Sequence, residues 1–167
     1  MAAKLLFLIR HAKAEEAASG MSDAERRLTR EGREAVRLSA IALRRLGVRF
    51  DAILSSPLPR ALETANLLRP EGGVDVRAWQ ELAPGAEPNV LLPTLEAVRD
   101  RQQVALVGHE PDLGSLASYL LAGDRRSLRM PFRTGAMAAI EVEHLPPRGL
   151  GVLRWFVTQE QLVLMGS

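Results

Sequence analysis

The chain has 167 residues, nearly half of them apolar, which suits one compact domain of roughly 100–200 residues and excludes a disordered polymer. Its formal charge is only +2 although the sequence pI is about 9.6. Lys4 and Lys13 are the only lysines, so the pI reports arginine's high pKa and no basic stripe for nucleic acid or an anionic membrane. Cysteine is absent, which excludes disulfides and thiolate chemistry. The apolar run near the start, Leu5–Ile9, is too short for a signal peptide or a membrane span, so a cytoplasmic location is expected.

Lys4–Ile9 is a continuous apolar run and predicts a strand buried on both faces. Ala12–Leu28 is polar and is expected to be a loop. Thr29 caps a predicted helix with Glu31 in its first turn, an apolar stripe of Val36, Ala40, Leu43 and Leu46, and Gly47 as its stop. Asp51–Ser55 predicts a second buried strand, Leu58–Leu68 a helix, and Val74–Trp79 a third strand. A Pro/Gly loop, Glu81–Glu87, leads to an expected helix over Pro88–Arg99 that carries Pro93 inside it. Gln103–Val107 predicts a strand and Pro111–Leu121 a helix. Ala136–Glu143 and Leu150–Thr158 predict a closing pair of strands about the turn Pro146–Gly149, and the apolar tail Leu162–Met165 either pairs or finishes the sheet. Alternating strands and helices predict one α/β domain over 1–167, a layered sandwich with a mostly parallel central sheet flanked by helices.

Three of these strands run into unusual residues: Arg10-His11, Ser55-Ser56-Pro57-Leu58-Pro59-Arg60, and Gly108-His109-Glu110. In an open parallel sheet the carboxyl ends of strands share one edge, and ligands bind there. Each residue alone has an ordinary reading: a strand-end histidine is usually structural, Arg10 can pair at a sheet edge, Arg60 can be a solvated helix residue and Glu81 a surface carboxylate. Thr29 is fully explained as a cap, and His144 as a turn residue. Together, two arginines and two histidines without an obligatory carboxylate partner make a cationic pocket suited to a phosphate dianion. No metal-ligand spacing and no Walker-type loop is present, so no cofactor or metal is expected.

Leu-Ile-Arg10-His11-Ala12 resembles the Arg-His-Gly signature of the histidine phosphatase superfamily, which includes the phosphoglycerate mutases. The resemblance continues through Arg27-Leu28-Thr29 with Gly32, Ser55–Ala61 with Glu63-Thr64-Ala65, and Val107-Gly108-His109. The short length, the Arg-His-Ala-Lys-Ala opening and Glu81-Leu82-Ala83-Pro84 look most like the SixA-type phosphohistidine phosphatases. The resemblance implies a phosphoglycerate mutase-like fold, His11 as phosphoryl acceptor, and Arg10, Arg60 and His109 as phosphate ligands. Glu81 lies where a superfamily proton donor is expected. Ala12 departs from the glycine of the signature. The implied activity is metal-independent phosphatase action through a phosphohistidine intermediate, with phosphohistidine on a partner protein as substrate. A small-molecule phosphatase or mutase and a phosphate-binding module without turnover stand as alternatives.

Overall fold

The computed structural model describes residues 2–167. The strands are β1 Lys4–Arg10, β2 Ala52–Ser55, β3 Val76–Ala78, β4 Gln103–Gly108, β5 Met137–Val142 and β6 Val152–Val157. The helices are α1 Arg30–Arg45, α2 Pro59–Leu68, α3 Pro88–Thr94, α4 Asp112–Ala122 and α5 Gln159–Gly166. They build a single α/β domain around a six-stranded sheet of order β3-β2-β4-β1-β5-β6. Only β5 runs against its neighbours; the β3-β2, β2-β4 and β4-β1 pairings are all parallel. The mostly parallel sandwich expected from the sequence is therefore what forms.

Successive side chains of a strand point to opposite faces, so each central strand feeds two cores. Leu6, Leu8, Leu54 and Leu106 join Leu91 of α3 with Leu113 and Leu116 of α4 on one face. Phe7, Ile9, Ile53 and Val107 join Val36 and Leu43 of α1, Ala61 of α2 and Leu162 of α5 on the other. No helix among the described residues is long and apolar enough to cross a membrane.

Local chemistry sets the ends of the elements. Thr29 accepts from the amide of Gly32 at 2.9 Å and so caps α1. A side chain at Gly32 would lie 2.3 Å from the Lys13 carbonyl, so glycine lets α1 start against the loop that follows β1. Leu46, expected in the buried stripe, is half exposed because α1 has already ended at Arg45. The expected helix over Pro88–Arg99 divides: Pro93 lacks an interior donor, and after Thr94 the chain tightens into a 3-10 turn, Leu95–Val98. The tail does not finish the sheet. It forms α5, opened by a reciprocal cap in which Thr158 accepts from Gln161 and Gln161 reaches back to the Thr158 amide. The stretch Ala12–Leu28 is more ordered than a plain loop, with a 3-10 turn at Asp23–Glu25 and an Ala14–Leu28 bridge.

Candidate active site

β1, β2 and β4 end side by side, as their registers require: Arg10 is level with Gly108, and Ser55 with Val107. Just beyond, the His11 amide donates to the Gly108 carbonyl at 3.2 Å and the Ser56 amide to Val107 at 2.9 Å. Residues a hundred positions apart thus meet at one sheet edge, around a pocket of about 330 Å³. Its lining includes Arg10, His11, Arg60 and His109, four of the five residues singled out by the sequence.

The two imidazoles face each other with ring centroids 5.2 Å apart and are almost fully buried. His11 Nδ1 lies 2.8 Å from the Ala12 carbonyl. A carbonyl can only accept, so Nδ1 carries the proton and Nε2 keeps its lone pair. That nitrogen accepts from Arg60 Nε at 3.3 Å. Burial, followed by the nearby Arg60 and Arg10 charges, pushes the His11 pKa down to about 4, even though the Ala12 carbonyl opposes the shift. His109 is pushed down to about 3, again chiefly by burial and then by His11, Arg60 and Arg10. Both rings are therefore neutral near pH 7, and a protonated His109 is not the resting state of this pocket.

His109 Nε2 is 2.7 Å from the Ser56 hydroxyl, which also accepts from the Leu58 amide. A hydroxyl both donates and accepts, so this contact does not fix the ring's proton; the other ring nitrogen is Nδ1. That nitrogen is buried without a hydrogen-bond partner among the described residues.

Arg10 is anchored through Nη1 on the Phe132 carbonyl at 2.8 Å, and burial lowers its pKa. Arg60 sits in the first turn of α2, where Pro59 starts the helix. Its expected lack of a carboxylate partner does not hold: Nη2 pairs with Asp23 Oδ2 at 3.1 Å and Nη1 donates to the Asp23 main-chain oxygen at 2.9 Å. Thr64 ties α2 to the site, accepting from the Ala12 amide at 3.1 Å while donating to the Arg60 carbonyl.

Glu81 is not brought into this pocket. On the turn Gln80–Leu82 it is Leu82 that enters the core, so Glu81 faces a separate depression with Gln80, Ala83 and Glu87; only Pro84 of that loop reaches the pocket wall. The carboxylates that do line the pocket are Asp23 and Glu110; Glu110 closes one of the strand-end runs singled out in the sequence but was given no role, and Asp23 was not foreseen. Glu110 is raised above the ordinary carboxylate range by burial, against the pull of the Gly114 and Phe132 amides and of Arg10. Its Oε1 accepts from the Gly114 amide at 2.7 Å. Lys13 and Arg26 add positive charge to the rim. The Asp23 turn could have been anticipated from Ser22-x-x-Glu25, a capping-box spacing inside the supposed loop.

Comparison with known proteins places this arrangement. Residues 6–84 match the model of the histidine phosphatase superfamily, branch 1. An uncharacterized protein of Picosynechococcus sp. is 39% identical over 122 residues, 71% of this chain and 73% of that one. The protein histidine phosphatase SixA complexed with tungstate superposes with a TM-score of 0.82 at 25% identity, covering 95% of this chain and 99% of that one. A chain from Agrobacterium tumefaciens assigned as SixA gives 0.77 at 27% identity, with 95% and 99% covered. An alpha-ribazole phosphatase from Shigella flexneri shares the fold at 20% identity, with a TM-score of 0.73 and 93% and 96% covered. A pocket of paired imidazoles and arginines at the strand ends, on this fold and with these relatives, makes the chain a phosphatase of the histidine phosphatase superfamily, branch 1, and of its SixA type.

Proposed function

We propose that this protein removes phosphoryl groups from phosphohistidine on a partner protein, without a metal ion, through a covalent intermediate on His11. The observation that carries the reading is the His11 ring: its proton is held on Nδ1 by a carbonyl, which leaves the Nε2 lone pair, now accepting from Arg60 Nε, as the nucleophile. The Nε2 lone pair attacks phosphorus, and the bond from phosphorus to the leaving group breaks with its electrons on that group. Water then attacks the phosphorus on His11, returning neutral imidazole and releasing inorganic phosphate. Arg10, Arg60 and His109 stabilise charge on the equatorial oxygens, and the two arginines supply the positive charge a metal would otherwise bring.

The leaving group points to the substrate. An alkoxide must be protonated as it departs, whereas an imidazole takes its proton near neutral pH. Asp23 is engaged by two arginines and Glu81 lies outside the pocket, which favours a substrate that needs no acid from the enzyme. Glu110, raised by burial, is the one group that favours a small phosphoester instead. The test is kcat/KM on a phosphohistidine-bearing polypeptide, an aryl phosphate and an alkyl phosphate, each with and without chelator. Without a general acid the alkyl ester should lag by about 100-fold or more, and the chelator should change nothing. Alkyl esters turned over as fast as phosphohistidine would overturn the substrate reading, and a strict need for a divalent ion would overturn the metal-free one.

A further inference from the structure

Asp23 is an exposed residue that grips a buried one. Ser22 donates its amide and its hydroxyl to Glu25 Oε2 at 2.6 and 2.9 Å, which closes the turn on which Asp23 sits. Arg26 holds Asp23 Oδ1 at 2.9 Å through Nη1, while its own Nε is fixed on the Glu15 carbonyl at 2.6 Å. The remaining acceptors of Asp23, Oδ2 and the main-chain oxygen, meet Nη2 and Nη1 of Arg60. The Arg60 side chain is 6% exposed, against 66% for Asp23.

A guanidinium offers an end-on edge, Nη1 with Nη2, and a side-on edge, Nε with Nη2, and either one matches two phosphate oxygens. Asp23 occupies the end-on edge. The Nε of the other edge lies 3.3 Å from His11 Nε2.

We propose that Asp23 is a positioning residue that caps the end-on edge of Arg60 and so commits the side-on edge to the phosphoryl group in transit at His11 Nε2. This rests on the roles given to His11 and Arg60 under Proposed function. Without the cap, an arriving phosphate can settle on the exposed end-on edge, a stable pose out of line with the nucleophile. Losing Asp23 therefore impairs the chemical step more than it impairs anion binding, because only the in-line pose leads to transfer. Direct participation of Asp23 as an acid is disfavoured by the same contacts: hydrogen bonding to Arg26 and the charge of Arg60 keep its carboxyl below the usual range.

The experiment measures turnover of 4-nitrophenyl phosphate and inhibition by inorganic phosphate in wild type, Asp23→Asn, Arg60→Ala and the double variant. Asp23→Asn should lower kcat by about ten-fold while phosphate inhibits as well as before or better. In the Arg60→Ala background the same substitution should cost less than about two-fold, because its route through Arg60 is gone. An unchanged or raised kcat in Asp23→Asn would overturn the proposal, the raised value marking Asp23 as a competitor for Arg60. Full additivity with Arg60→Ala would overturn it too, since Asp23 would then act elsewhere. An Arg60→Ala variant with wild-type turnover would instead remove the function reading on which the proposal stands.

Discussion

At the scale of single residues, the pocket holds two imidazoles that folding keeps neutral. Their pKa values of about 4 and about 3 lie below the ordinary histidine value, so the folded chain binds fewer protons than the unfolded chain in weak acid. Their contribution is therefore fully present above about pH 7 and fades as pH falls through 6.5 toward 4, by up to about 1.4 kcal/mol per pH unit for each ring. Melting should thus drop between pH 7 and pH 5, and His109→Asn should flatten that slope; an unchanged slope would show that the rings are not withheld from protons. Inorganic phosphate should oppose the drop, because a bound dianion favours protonation of the rings around it. His11→Ala should abolish turnover and leave melting at pH 7 close to wild type, since the ring ends a strand and belongs to neither apolar core. Wild type quenched during turnover should carry acid-labile phosphate on His11, and its absence there would sink the covalent step. Glu81→Gln should stay within about two-fold of wild type on aryl phosphate, as expected of a half-buried carboxylate outside the pocket lining; a loss of about 100-fold, the contribution of a general acid, would return it to the site.

At the scale of elements, the strands were legible because buried parallel strands read as unbroken apolar runs, and Leu5–Ile9 and Val104–Val107 are such runs. The residues that follow them were legible for the same reason: once the strand ends are known, topology brings Arg10, His11 and His109 together. What could not be read was held by spacing of another kind. Asp23 depends on side chains at Arg26 and Arg60, and the Arg60 partnership crosses 37 positions with no periodic signal. Glu81 stands apart from the pocket lining because burial of its neighbour Leu82 decides which way the turn faces, and burial is a tertiary fact. The helix α5 had a local signature, Thr158-Gln159-Glu160-Gln161, that an apolar tail obscured. Thr158→Ala should cost about 1 kcal/mol in denaturant unfolding, the usual worth of such a cap. Gly166→Ala should cost more. A methyl there would lie 1.9 Å from the Leu38 carbonyl, so α5 must lift from α1, where Arg45 also holds the Met165 and Ser167 carbonyls. Equal losses in the two variants would mean that the close approach of the helices is soft.

At the scale of the whole molecule, one sheet separates two apolar layers, and a cationic pocket opens on its edge. Arg10, Lys13, Arg26 and Arg60 outnumber Asp23 and Glu110 in the pocket lining. The kcat/KM for a phosphorylated polypeptide should therefore fall steadily as salt rises to about 0.5 M, where screening lengths shrink below the width of the pocket. Insensitivity to salt would show that these charges do not guide the substrate. The alternation along β1 has a further consequence. Leu6 and Leu8 face the layer of α3 and α4, Phe7 and Ile9 the layer of α1, α2 and α5, and the same parity carries Arg10 to the first side and His11 to the second. Their contacts agree: Arg10 is held by Phe132 of the first layer, and the backbone after His11 by Thr64 of the second. Neighbours in sequence, the two residues answer to different halves of the interior. Damage to one half should thus leave a kinetic signature distinct from damage to the other. Phe132→Leu should disturb Arg10, the cation proposed to hold phosphate in every state, and so affect KM together with kcat. Thr64→Val should disturb the aim of the nucleophile and fall on kcat alone. A one-residue insertion within β1 would exchange the two allegiances and present the arginine where the imidazole belongs.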